Sequence, residues 1–293
     1  MHTWPRATLA TAAAAHSRGV AVAREVPNTH TAYAFDVVAR EHGRIGLPVP
    51  DDNSHFFNAD VLASEEAEYA AADALLVPSQ YVYDSFLSQG VPSEKLSLQR
   101  YGFDPERFYA DETDVREDGA LTAIFAGRCE PRKGLHLALE AWIASGVAER
   151  GRFLICGSFV PGYREHLEPL LAHPSVEVLG FVKDPGALMR RSDVFLFPSI
   201  EEGSALVSYE AQACGCVLLV SEATGARCTH NVEGLVHTPG DVATLTEHLR
   251  QVDSDRALLA RLRKASLARI DELTWRAAGA ALVDTYTRLA KSS

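Results

Sequence analysis

The chain has 293 residues, 47% apolar and 23% charged, which fits two domains or one large α/β domain with a sizeable core. A formal net charge of −11 argues against a nucleic-acid binder, though local basic clusters remain free to hold phosphates. No apolar run approaches the about 18 residues of a membrane-spanning helix, and five cysteines, an odd number, fit free thiols in a reducing cytosol.

The opening stretch, MHTWPRATLATAAAAHSRG, carries an alanine run too weakly hydrophobic for a secretory leader. His16 and Arg18 stand where a cleavage site needs small residues, so the stretch reads as an ordinary helix. Gly19–Val26 reads as a strand, Val61–Ala74 as a helix and Leu75–Ser79 as a strand with a Pro-Ser stop. A helix from Gln80 ends at Gly90, and KLSLQRYGF (Lys95–Phe103) is a further strand. The acidic helix face in SEEAEYAAAD is expected to be solvated. Asp104–Gly119 is polar, acidic and aperiodic, and reads as a linker with a domain boundary. Before it lie only about 110 residues, short of the about 150 usual for a doubly wound domain, and the chain opens near a helix.

Beyond the linker, apolar runs alternate regularly with helices. The strands are Leu121–Gly127, Arg152–Gly157, Val176–Gly180, Val194–Ser199 and Cys216–Ser221. The helices are Gly134–Ser145, Tyr163–Ala172, Pro185–Arg191 and one from near Leu206, and the tail from Asp241 is helical. Strands apolar on both faces and separated by helices predict a parallel, doubly wound sheet.

In such sheets ligands sit at the carboxyl ends of strands. After LTAIFAG comes RCEPRKG, with Arg128 and Lys133 before a helix start. A helix N-terminus, a guanidinium and an ammonium together suit a diphosphate, and the plainer reading is two solvated loop charges. After DVFLFPS comes EEGSALVSYE, with Glu202 and Glu210 eight positions apart. Small residues at 203–205 let backbone approach a ligand, and a carboxylate can accept both ribose hydroxyls. Taken alone, the two glutamates read more simply as surface charges. Eight helical residues span about 12 Å, beyond the about 5–10 Å of a glycosidase carboxyl pair. Cys214, Cys216, Cys228 and His230 give a C-x-C…C-x-H set, but the first two lie at a helix-to-strand turn and read as buried thiols. Dinucleotide, Walker and nucleophile-elbow signatures are absent.

The blocks FAGRCEPRKG, GFV…LMRRSDVFLFPSIEEGSALVSYEAQACGCVLLVS and EGLVHTPGD resemble the retaining glycosyltransferases of the GT-B fold, family 4. ADALLVPSQYVYDSFLSQGVPSEKLSLQRYGFDPERF resembles the end of that family's N-terminal domain, and the likeness covers most of the chain after Asp60. It implies an α/β fold of two Rossmann-like doubly wound domains facing a cleft, the first incomplete. The expected layout is a partial acceptor-side domain at 1–110, a linker at 111–119, a donor domain at 120–270 and a helix at 271–293 that could cross back.

By residue, the resemblance implies that Arg128 and Lys133 bind the donor diphosphate and stabilise the leaving group. Glu202 would contact the transferred sugar and Glu210 the ribose. Gly127, Gly203, Ser204, Ala205, Leu206 and Val207 would line the phosphates and sugar, and Phe181 and Val182 the base. His30, in PNTHTAY, stands where an acceptor-side histidine is expected, with a structural histidine as the other reading. Ser204 and Ala205 replace the family's aromatic and glycine, and the family's first strand and glycine-rich loop are missing. The implied activity is transfer from a UDP-, GDP- or ADP-linked sugar to a sugar, lipid or small-molecule hydroxyl, with retention. No metal or other cofactor, and no nucleic acid, is implied. The setting would be cytoplasmic, with peripheral contact at the inner membrane face left open. The alternative is a nucleotide-sugar-binding accessory protein, or an inactive truncated homologue that needs a partner chain for catalysis.

Overall fold

The computed structural model describes residues 1–111 and 119–292. Most of the expected linker, 112–118, lies outside the described residues. The chain divides into two compact units: Met1–Tyr101 with Glu201–Ser204 and Trp275–Ser293, and Gly102–Ile200 with Ala205–Thr274. The first unit ends at Tyr101 rather than near 110, because Phe103 N–H bonds the Leu273 carbonyl and Phe108 packs by Gly186.

The first unit runs β1 (His2–Thr3), α1 (Thr8–His16), β2 (Ala23–Glu25), α2 (Thr31–Arg44), α3 (Ala59–Ala71), β3 (Ala74–Val77), α4 (Gln80–Ser88) and β4 (Leu96–Leu98). Its sheet is parallel in the order β1-β2-β3-β4. The chain therefore opens on a strand, not a helix; two residues are too few to show a period. The strand expected over Lys95–Phe103 shrinks to three residues. Side chains cap the helices: Asn58 takes the Asp60 and Val61 N–H groups, and Ser79 takes that of Val82. Val26, Leu75, Val77, Val82 and Phe86 form the core beside Tyr69.

The acidic face of α3 is not solvated throughout. Glu68 is buried, as is the Arg24 guanidinium that it meets at 2.9 Å, and Glu65 pairs with the same arginine. Glu68 also accepts the N–H groups of Arg6 and Thr8. Burial alone would raise its pKa, but these bonds outweigh it and hold the carboxyl below its usual value. One carboxylate thus joins the turn after β1 to β2, and removing it would strand a buried cation.

The second unit has a six-stranded parallel sheet: β5 (Thr122–Ala126), β6 (Arg152–Cys156), β7 (Val176–Gly180), β8 (Val194–Phe197), β9 (Val217–Ser221) and β10 (Gly234–His237). Its order is β10-β9-β8-β5-β6-β7. That is the doubly wound order in which winding reverses between the first and fourth strands, here β5 and β8. The helices are α5 (Leu135–Ala144), α6 (Tyr163–Leu171), α7 (Gly186–Arg190), α8 (Leu206–Ala213), α9 (Val242–Ser254) and α10 (Arg256–Leu267). Every residue of β5, β8 and β9 is buried, which is why these strands read as unbroken apolar runs. Cys214 and Cys216 are buried free thiols beside the turn at Gly215. Among the described residues, no helix is long and apolar enough to cross a membrane, and no group of three or more His, Cys, Asp or Glu is placed to hold a metal ion.

The rings of His237 and His248 are buried, 5.9 Å apart between centroids, and His230 stacks obliquely on His248 at 5.6 Å. Burial pushes both buried imidazoles down to about 4. Neighbouring histidines add to this, while Asp241 opposes it at both and Glu247 at His248. The folded state therefore holds neutral rings that the unfolded chain protonates near 6.5. Their contribution to stability is complete above 6.5 and is lost as the pH falls towards about 4. Thermal melts should show midpoints falling over that window, with a shallower slope in His237→Leu/His248→Leu. An identical slope in the double variant would contradict this.

Candidate functional site

The winding reverses between β5 and β8, and the loops that follow these two strands stand at the carboxyl end of the sheet, where ligands sit in folds of this kind. The first loop carries Gly127, which is half-buried, Arg128, which is exposed, and a 3-10 turn over Pro131–Lys133. Arg132 pairs with Glu130 at 2.9 Å, and the Lys133 ammonium lies 5.7 Å from the Phe197 ring centroid. Gly134 starts α5 with φ +72°, and a Cβ there would stand 2.0 Å from the Pro198 carbonyl oxygen. The Ile200 N–H bonds the Arg132 carbonyl at 2.8 Å. The loop that bears Arg128 and Lys133 is therefore bound, backbone to backbone, to the loop after β8.

That second loop leads into α8. Ala205 is its N-cap and offers no side-chain bond; its own N–H goes to the Thr224 carbonyl. Ser208 N–H and Oγ both close on the Ala205 carbonyl. The leading N–H groups, at Leu206 and Val207, have no intrahelical acceptor, so the helix dipole and these donors present positive potential. From the neighbouring strand, Ser221 Oγ donates to the Ser199 carbonyl and Thr224 Oγ1 to the Phe197 carbonyl. Glu210, on the second turn of α8, is half-buried. Burial raises its carboxyl pKa, and the charge of Arg107 draws it partly back. Phe181, 79% exposed, and half-buried Val182 follow β7.

Residues Glu201–Ser204 pack with the first unit. Glu201 is fully buried and accepts from Thr29 Oγ1 at 2.7 Å, with His55 Nε2 at 3.5 Å. Ser79 Oγ donates to the Gly203 carbonyl at 2.6 Å. A Cβ at Gly203 would stand 1.7 Å from the Pro27 carbonyl oxygen, so only glycine fits. Glu202 and Ser204 are buried beside them. Of the two adjacent glutamates, Glu201 is committed to a structural bond.

His30 is buried against the rings of Tyr69 and Phe86. Its Nδ1 accepts the Ala32 N–H and so caps α2, and burial lowers its pKa. Its geometry is that of the structural reading. Arg107, Thr224, Glu201 and His55 carry no local sequence signal, since each is set by partners far away in the chain.

The comparisons with known proteins bear on the same strands and loops. Residues 120–255 match the family model described as Glycosyl transferases group 1. The putative colanic acid biosynthesis glycosyltransferase WcaL of Salmonella typhimurium is 33% identical over 172 residues, covering 53% of this chain and 42% of WcaL. The serotype-specific mannosyltransferase WbdA of Escherichia coli is 23% identical over 252 residues, covering 78% of this chain and 30% of WbdA. The chain thus spans less than half the length of either relative. Anabaena HepE in complex with UDP superposes with a TM-score of 0.75 at 18% identity, covering 98% of this chain and 78% of HepE. A sucrose-phosphate synthase from Thermosynechococcus elongatus gives 0.74 at 20% identity, covering all of this chain and 74% of that one. These structures establish the fold: two Rossmann-like α/β domains, as in GT-B glycosyltransferases. The match to the group 1 glycosyltransferase family lies within the second unit, apart from residues 201–204.

The backbone contact at Gly134 yields a test. Gly134→Ala adds a clash to the strain of a positive φ and should cost more than about 1 kcal/mol in urea unfolding. Gly146→Ala, with φ +78° and nothing within 4 Å, carries the strain alone. Equal losses in the two variants would mean that the Pro198 contact imposes no constraint.

Proposed function

We propose that the chain is a glycosyltransferase that moves a sugar from a nucleotide-sugar donor to a hydroxyl acceptor, with retention of anomeric configuration. The observation that carries this is the joined pair of loops at the β5/β8 reversal. One bears Arg128 and Lys133; the other delivers the open N-terminus of α8. In this reading Arg128 and Lys133 hold the diphosphate with the N–H groups of Leu206 and Val207. Glu210 accepts the ribose hydroxyls, Glu202 contacts the sugar near Gly203, Ser204 and Ala205, and Phe181 with Val182 borders the base.

The chemistry follows from where charge develops. The bond from the sugar's anomeric carbon to the phosphate oxygen breaks, and the two cations stabilise the diphosphate as it departs. The acceptor oxygen bonds the same face of that carbon, and its proton passes to the released phosphate. The protein's own cations supply the positive charge, so the reading calls for no metal ion. WcaL and WbdA are named as glycosyltransferases, which supports the reaction class and leaves donor base and sugar open.

Incubation with a panel of UDP-, GDP- and ADP-sugars should release nucleoside diphosphate, and NMR of the product should show the donor's anomeric configuration. Lys133→Ala or Arg128→Ala should cost roughly 2–4 kcal/mol of transition-state stabilisation, about 30- to 1,000-fold in kcat/KM, with an unchanged melting temperature. Unaltered rates in both variants would remove the phosphate assignment, and inversion would remove the proposed mechanism.

A further inference from the structure

Arg107 lies outside every strand and helix, yet its backbone is fixed within the second unit. Ahead of it, the Phe103 N–H bonds the Leu273 carbonyl at 3.0 Å. The Asp104 carbonyl then accepts the N–H groups of Arg107 and Phe108, at 3.2 and 3.0 Å, and the Asp104 carboxylate accepts that of Glu106. Phe108 is buried, and a Cβ at Gly186, the first residue of α7, would stand 3.4 Å from its ring and 3.6 Å from the Arg107 carbonyl oxygen. The Tyr109 N–H bonds the Cys214 sulfur at the end of α8, and the Arg190 guanidinium lies 4.9 Å from the Tyr109 ring centroid.

Cys214 and Glu210 are one helical turn apart, for the Cys214 N–H closes on the Glu210 carbonyl at 3.0 Å. Residues four apart share a face of a helix. The segment that meets Cys214 through Tyr109 thus runs along the face that carries Glu210, and the charge of Arg107 acts on that carboxyl. The Phe108 ring, with its centroid 5.2 Å from the guanidinium carbon, gives Arg107 a platform.

The other charged groups around α8 are committed elsewhere. Asp184 accepts the Gly186 N–H, Asp193 pairs with Arg256 and Arg263, and Glu272 pairs with Arg227 and Arg269. Arg190 acts on Cys214, whose thiol burial pushes up to about 11, so it stays neutral. A half-buried carboxyl accepts two hydroxyls well only when ionised, and a guanidinium at its side favours that form.

We propose that Arg107 is a positioning residue for nucleotide binding: it acts through Glu210, holding that carboxylate ready to accept both ribose hydroxyls of a nucleoside diphosphate. The inference rests on the donor-site reading of the second unit.

The test isolates the ribose's share of binding. Calorimetry compares UDP, GDP and ADP with their 2′,3′-dideoxy analogues between about pH 5 and 8, with a melting temperature recorded at each pH. The diphosphate titrates alike in both members of a pair, so it cancels from the ratio of Kd values. The ratio should favour the ribose and shrink as the pH falls, because a protonated Glu210 loses acceptors. Arg107→Ala removes the charge that favours ionisation, so its ratio should shrink at higher pH than the parent's. Arg107 is exposed and water screens part of its effect, so the expected difference at the acid end is about threefold, not the hundredfold of a buried pair. Arg107→Lys should restore most of the ratio, and Glu210→Gln should give a small ratio that no longer varies with pH. Should Arg107→Ala fail to fold, Arg107→Gln carries the test. A ratio in Arg107→Ala equal to the parent's at every pH would overturn the role of Arg107 and leave the diphosphate site standing. Diphosphate binding with no preference for the ribose would remove both Glu210 and Arg107 from nucleotide recognition. Absence of binding by all three diphosphates would overturn the donor-site reading and the inference together.

Discussion

A side chain at position 134 would place its Cβ 2.0 Å from the Pro198 carbonyl oxygen, so the loops leaving β5 and β8 meet backbone to backbone. Much of the second unit's chemistry depends on that approach. It brings the Arg132 carbonyl to the Ile200 N–H and sets Lys133 over the Phe197 ring. The approach is possible here because β5 and β8 are neighbours in the sheet. Without the glycine the cations would sit on a loop held at one end only.

The electrostatics are local. A chain of net charge −11 has no bulk attraction for an anionic ligand. In the proposed reading Arg128, Lys133 and the N-terminus of α8 supply it locally, and burial makes Glu210, on the same helix, reluctant to ionise. The first unit uses charge differently: Arg24 is neutralised by Glu65 and Glu68 and serves to hold β1, β2 and α3 together.

What could be read from the amino-acid sequence follows burial and locality. β5, β8 and β9 are covered on both faces, so their apolar runs stand out. β1 has two residues, too few for a pattern. α2 went unpredicted although it is amphipathic; it follows a Pro-Asn turn and starts on a histidine cap that tertiary packing holds. The solvated reading of α3 failed at Glu68 because its partner, Arg24, lies 44 residues away. Glu201 and Glu202 are indistinguishable by composition, and the partners that engage Glu201, Thr29 and His55, lie 172 and 146 residues away.

The most direct measurement is calorimetric titration of the chain with nucleoside diphosphates and the matching monophosphates. If the joined loops hold a diphosphate, at least one of UDP, GDP and ADP should bind about tenfold or more tightly than its monophosphate, and added salt should narrow the gap. Equal affinity for mono- and diphosphate across all three bases would contradict the account.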